Sequence, residues 1–226
     1  MNKIDAWWFR NEQPDSAVIQ PDFFKPQSHF GIYAELEKIT VPFTIGIIAV
    51  SKNGEEIYRK QLDIVNENPE GKFELSFGDR VLLLIHPVND NYELPARLIV
   101  TYSDQDHQYT QTVDCRYATL TGTITDFNGK PFQAAFKLYR HCFDNLDFMG
   151  VWSDVDGRFS ITVPQGIYNV FYLDDDSYRK TSLECWGWHM IVDGDEEFHF
   201  KIGNGEVYSM APWVSNGGIS TMFIFF

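Results

Sequence analysis

The chain has 226 residues, 44% of them hydrophobic and 16% aromatic, enough to fill one large core or two ordinary ones. Eighteen basic residues against 32 acidic ones leave a formal net charge of −14. That balance argues against a nucleic-acid binder, which needs a basic stripe to displace counterions from phosphate, and it repels an anionic membrane surface.

The opening stretch, "MNKIDAWWFRNEQPDSAV", breaks its apolar residues with Arg10, Glu12 and Asp15 and so does not read as a secretory h-region. No apolar run approaches the roughly 20 residues that cross a bilayer. The literal expectation is a cytoplasmic protein. Cys115, Cys142 and Cys185 show no C-x-x-C spacing and read as free thiols, with a Cys142–Cys185 bridge open only to an exported chain.

Residues 1–27 form an aromatic N-terminal segment carrying Trp7, Trp8 and Phe9. From 28 to 118 the hydrophobic residues alternate with a period of two, and no segment has a convincing helical period. "HFGIYAEL" (29–36) is a strand. "VPFTIGIIAVSKNGEEIYRKQLDI" (41–64) is two strands around Lys52-Asn53-Gly54-Glu55, where Asn-Gly predicts a type I′ turn. "GKFELSF", "RVLLLIHPV" and a hairpin turning near Ser103–Asp106 complete about seven strands, the count of an immunoglobulin-like sandwich.

A second unit spans 119–208. Leu120, Gly122 and Ile124 point one way and Thr121, Thr123 and Thr125 the other, and Asn128-Gly129 before Pro131 makes a turn. Phe136 and Leu138 resume the alternation, and "GRFSITV" turns Phe159, Ile161 and Val163 inward. "SDVDGRF" (153–159) raises the question of a calcium loop. An EF-hand needs alternating oxygen ligands, a sixth-position glycine and a twelfth-position glutamate, whereas Gly157, Arg158 and Phe159 follow here. The aspartates instead predict a hydrogen-bonded turn with Gly157 at positive φ.

Gly122, Asp126, Gly129, Pro131, Ala134, Asp154, Asp156, Gly157, Phe159, Pro164, Gly166, Tyr168 and Tyr178 together resemble the pattern of a carboxypeptidase regulatory-like domain. That family belongs to the transthyretin-like, carbohydrate-binding-like β-sandwiches, and the resemblance covers residues 119–202. It implies a sandwich fold, permits carbohydrate or protein partners, and favours extracellular use. Intradiol dioxygenases share similar turns and hold iron with two tyrosines and two histidines; Tyr168, Tyr178, His189 and His199 occur in that order, without the family's close His-x-His.

"ECWGWHMIVDGDEEFHFKIG" (184–203) predicts a hairpin about Gly194, with Met190 opposite Phe198, Trp188 opposite Phe200 and Trp186 opposite Ile202 on one buried face. That register makes Trp186 and Trp188 core residues and sets His189 and His199 side by side outside, as weak metal-site candidates. The carboxylates of Asp174–Asp176 and Asp193–Glu197 fall at strand ends and read as solvated turns. No G-x-S-x-G, H-E-x-x-H or phosphate-cradling loop is present, so neither catalysis nor a cofactor is expected.

Residues 209–226 carry Trp213, Phe223, Phe225 and Phe226, which must pack on the domains or associate. The reading is therefore an all-β protein: an immunoglobulin-like sandwich followed by a carboxypeptidase regulatory-like one, sealed by aromatic ends. Its function is non-catalytic binding or scaffolding, as a monomer or as a homo-oligomer through the aromatic termini. Trp7, Trp8, Trp152 and Trp213 are the candidate rings for stacking on a sugar.

Overall fold

A computed structural model describes residues 3–11, 27–35, 42–65, 73–76, 80–88, 93–140, 148–175 and 184–203. The described residues are all-β, and they contain no helix long and apolar enough to cross a membrane.

The N-terminal sandwich packs two antiparallel sheets face to face. One contains β1 (Lys3–Asn11), β2 (Gln27–Glu35), β5 (Phe73–Ser76) and β6 (Arg80–Val88), in the order β1-β2-β6-β5. The other contains β3 (Phe43–Val50), β4 (Glu56–Ile64), β7 (Arg97–Ser103) and β8 (Gln108–Asp114), in the order β4-β3-β7-β8. Strict alternation along β3 buries Phe43, Ile45, Ile47 and Ala49, which meet Leu98, Val100 and Tyr102 of β7 and Ala6, Trp8, Phe30 and Ile32 of the facing sheet. Hydrophobic burial along these alternating strands fixes the register, because a one-residue slip would turn every apolar side chain to water.

The C-terminal sandwich repeats the scheme with different strands. One sheet has the order β11-β10-β13-β14: β10 (Ala135–Tyr139), β11 (Phe148–Trp152), β13 (Gly166–Asp174) and β14 (Glu184–Val192). The other has the order β12-β9-β15: β9 (Tyr117–Thr125), β12 (Arg158–Pro164) and β15 (Glu196–Lys201). Leu120, Ile124, Phe136, Leu138, Phe159, Ile161 and Val163 fill its core, and the rings of Phe136 and Phe159 stand 5.0 Å apart. Only Cys115 and Arg116 separate β8 from β9, and both are pinned: the Cys115 amide donates to the Ala96 carbonyl and the Gln165 amide to the Arg116 carbonyl.

Three turns share one construction. Ser51, Asp126 and Asp154 each accept two backbone N–H groups, from the second and fourth residues onward, through a single side-chain oxygen. Gly54, Gly129 and Gly157 occupy the third position with φ of 84°, 83° and 71°. The Asp154 oxygen is thus committed to the amides of Asp156 and Arg158, as a turn requires. The turn at Gly54 departs from the expected type I′, which needs positive φ at two successive residues; among the described non-glycine residues only His189 has one. A type I turn closed by a left-handed glycine fits the Ser51 N–H to Glu55 C=O and Gly54 N–H to Ser51 C=O bonds.

Two expectations are corrected here. Residues 3–11 are not a separate aromatic segment but the edge strand of the first sheet, paired with β2 from Lys3↔Glu35 to Asn11↔Gln27. The predicted hairpin at 184–203 does not form. β14 pairs with β13, whereas β15 crosses to the opposite layer and runs parallel to β9 from Glu196↔Leu120 to Lys201↔Thr125. The crossing leaves β9 flanked on both sides, and the Asp195 carboxylate caps it by accepting from the Thr119 amide at 2.7 Å.

Candidate functional site

Two places concentrate side chains that the cores do not explain on their own: the seam between the sandwiches and the outer face of the β11-β10-β13-β14 sheet.

At the seam, β1 serves two cores at once. Trp8 is fully buried in the N-terminal core, stacked on Phe30 at 5.8 Å and edge-on to Tyr58 at 5.5 Å. Its neighbour Trp7, 1% exposed, points the other way and joins Phe9 in the core of the C-terminal sandwich. Successive strand residues face opposite sides, so two adjacent tryptophans can be buried only where both faces of the strand are covered. Gly31, directly across from Trp7, makes room for the indole; a Cβ there would fall 2.2 Å from the ring.

Arg140, at the end of β10, closes the seam. Its guanidinium lies 5.6 Å from the Trp7 ring centre and 5.9 Å from that of Tyr168, and it donates to the Asp5 carboxylate of β1 at 3.0 Å. A further bond reaches the Gln165 carbonyl. Burial pushes the guanidinium pKa down, but the Asp5 charge, the neighbouring Tyr168 and the hydrogen bonds to both together hold it above the usual value. Beside the interdomain link lies an open cleft of about 530 Å³ with Leu94 and Pro95 among its walls. Burial pushes the Cys115 thiol in this cleft up to about 11, which leaves it protonated and a poor nucleophile at neutral pH.

The second place is the outer sheet face. Along β13 and β14, Tyr168, Met190 and Val192 turn into the core, as do Phe171, Leu173 and Cys185 farther along. The inward positions therefore change parity between the two groups. The change falls at Asn169 and His189, which drop out of the ladder between Tyr168↔Met190 and Val170↔Trp188; His189 has φ 59°. This irregularity turns Val170, Tyr172, Trp186 and Trp188 outward together. Trp186 packs edge-on against Tyr172 at 4.7 Å, and Trp188 lies nearly parallel to Trp186 at 6.4 Å. Lys137 reaches over Tyr172 and bonds Asp174 at 2.7 Å.

The candidates named from sequence are distributed differently from expectation. Trp7, Trp8 and Trp152 are all buried and present no open ring face, because each is enclosed by apolar neighbours. Trp213, Tyr178 and Cys142 lie outside the described residues. Trp186 and Trp188, expected in the core, face outward, and Trp188 is 52% exposed. His189 and His199 are not neighbours: one stands on β14 and the other on β15, in different sheets. The His199 Nδ1 lies 2.9 Å from the Thr123 hydroxyl, and its Nε2 3.7 Å from Glu197. Among the described residues no three His, Cys, Asp or Glu side chains gather as a metal site. Tyr168, one of the two tyrosines of the dioxygenase analogy, is a core residue whose hydroxyl donates to the Pro164 carbonyl at 2.5 Å.

No family model matches the chain, and no curated protein matches it. Its structure has some likeness to the major pilin subunit BcpA of Bacillus cereus, at 9% identity and a TM-score of 0.26 over 90% of this chain and 71% of that one. The group B streptococcus pilus 2b backbone protein gives 12% and 0.26 over 90% and 98%, and the Bacillus anthracis TIE protein 11% and 0.27 over 88% and 41%. Likenesses this distant bear on neither activity nor compartment, and they lend no support to the cytoplasmic expectation.

Proposed function

We propose that the chain is a non-catalytic structural and protein-interaction module, a pair of β-sandwiches locked in one orientation. The observation that carries this reading is the placement of Trp7 and Trp8, consecutive residues of one strand, in two different cores. Swinging one sandwich against the other would expose Trp7 and pull Arg140 from Asp5. A fully buried aromatic ring of this kind is worth about 2–3 kcal/mol in transfer free energy alone, which opposes such motion. The polar groups that drew attention in the sequence support a structural role as well: Asp126 and Asp154 hold turns, and Tyr168 holds its own strand to the Pro164 carbonyl.

Within this reading, residues 119–202 are a carboxypeptidase regulatory-like domain, supported by the paired Asp126 and Asp154 turns and the inward Phe159. A saccharide is the second reading for the partner, favoured by the half-exposed Trp188 ring backed by Trp186. Nitrogen-15 relaxation tests the main reading: amides of both sandwiches should tumble with one correlation time. Two distinct correlation times would overturn it. A neutral-glycan titration that quenches tryptophan fluorescence would decide for the saccharide, and unchanged fluorescence would remove it.

A further inference from the structure

An antiparallel sheet ordinarily packs one face on a core and leaves the other to water. The β11-β10-β13-β14 sheet is largely apolar on both, with the Lys137–Asp174 ion pair on the outer one. Its outer face buries Tyr139, Trp152, Val170 and Tyr172, yet along the β13–β14 side it leaves three large apolar residues in solvent: Trp188 at 52%, Ile167 at 58% and Ile191 at 62%. Ile167 and Ile191 are direct cross-strand partners, and Trp188 faces outward a few residues along the same strand. Among the described residues the other exposed large hydrophobics, Val65, Phe127 and Val155, sit just past a strand end or on turns. The rim therefore carries an exposed isoleucine pair and, three positions along β14, an exposed tryptophan that the irregular backbone turns away from the core.

Three side chains expose a few hundred Å² at most, whereas a stable dimer needs about 800 Å² on each partner. A short apolar segment fits this surface better than a second copy. The net charge of −14 and the nearby Asp193, Asp195 and Glu196 disfavour an acidic occupant. One stretch of the chain has the required chemistry. Beyond Gly203 the sequence continues for 23 residues with Glu206 as the sole charged side chain, and within "ISTMFIFF" (219–226) every residue from Met222 to Phe226 is apolar, so both alternating sets of positions are apolar there. A strand alternating against one face needs only one such set. The fifteen residues between Gly203 and this stretch extend up to about 50 Å, against a radius of gyration of about 17 Å for a folded chain of this length.

We propose that residues 219–226 lie on the outer rim of the C-terminal sandwich and cover Trp188, Ile191 and Ile167 of the same chain. The full-length protein carrying Ile191→p-benzoylphenylalanine, a photo-crosslinker at an exposed position, tests this. Irradiation should give an intramolecular crosslink to a peptide within 219–226, on a monomeric band whose yield does not change on dilution. Adding Phe223→Asp and Phe225→Asp should lower that yield about tenfold or more, the loss expected for a penalty near 1.4 kcal/mol. The same crosslinker at Ile167 gives an independent reading should the first variant fold poorly. A dimeric crosslinked band would assign the rim to a second copy and overturn the proposal. Crosslinks only to other segments, or a yield indifferent to the two aspartates, would overturn it too. None of these outcomes disturbs the two-core placement of Trp7 and Trp8.

Discussion

Replacing Trp7 by alanine removes the indole that fills the C-terminal core from a strand belonging to the N-terminal sheet. Truncating a buried tryptophan costs about 3–5 kcal/mol, and loss of the ring beneath Arg140 adds about 0.5–2 kcal/mol. Gly31 has no side chain with which to fill the void, and the ring that covered it is gone. For a cooperative unit of about 200 residues each kcal/mol moves the midpoint by about 2–4 °C, so the combined loss gives an expected fall of roughly 7–28 °C. The seam is lost along with the stability, so calorimetry should also show the single wild-type transition splitting in two. Trp8→Ala removes a ring of equal size from the other core. It should lower the midpoint comparably while leaving the Arg140–Asp5 contact in place. A Trp7→Ala protein melting in one transition within about 2 °C of wild type would refute the two-core role of β1.

Asp5→Asn should cost about 1–3 kcal/mol, because it leaves the largely buried Arg140 guanidinium without its counter-charge, and Arg140→Met in the same background should recover part of the loss in chemical denaturation. An Asp5→Asn protein as stable as wild type would show that the ion pair does not hold the seam. At position 189, where φ is 59°, glycine should be neutral or stabilising and valine should cost about 1–2 kcal/mol, since a β-branched side chain strains a left-handed backbone; equal stabilities for the two would contradict the parity change. Asp104 governs part of the acid limb. Burial pushes its carboxyl up, but hydrogen bonds from the Tyr102 hydroxyl and the Asp106 and His107 amides prevail and hold it below the usual carboxylate range. Its folded value lies below the unfolded value of about 3.9, so its stabilisation is complete above that pH and fades as pH falls through the folded value. Stability curves of wild type and Asp104→Asn should therefore converge on acidification, and parallel curves would contradict this.

Much of the architecture was legible because burial writes itself into period-two alternation. β3, β7 and β9 follow their alternating residues throughout and β12 does so as far as Val163, and the Asp126 and Asp154 turns follow from their Asp-x-x-Gly pattern. The seam was harder to read. "AWWF" looks like a sticky tail, yet two adjacent tryptophans in an extended segment also indicate a strand covered on both faces, and that signal was present in the sequence. The outer rim was hidden for a different reason. Trp186, Trp188, Met190 and Val192 share parity, so any regular strand sends all four to one side. Only a backbone irregularity at Asn169 and His189 separates them, and no residue type there demands it: histidine tolerates the left-handed region without announcing it. The hairpin expected about Gly194 failed because alternation is equally compatible with a strand that turns back onto its neighbour and one that crosses to the opposite layer. The choice lay in β9, whose residues stand 76 positions before their β15 partners.

Nuclear Overhauser contacts from the two N-terminal indoles test the joined-sandwich account most directly. The Trp7 ring should show contacts to the Gly31 α-protons, to the Arg140 side chain and to core residues of the C-terminal sandwich, while the Trp8 ring should show contacts to Phe30 and Tyr58 and none to that second set. Contacts from both rings to one shared group of residues, or a Trp7 ring with no contact beyond residue 118, would contradict it.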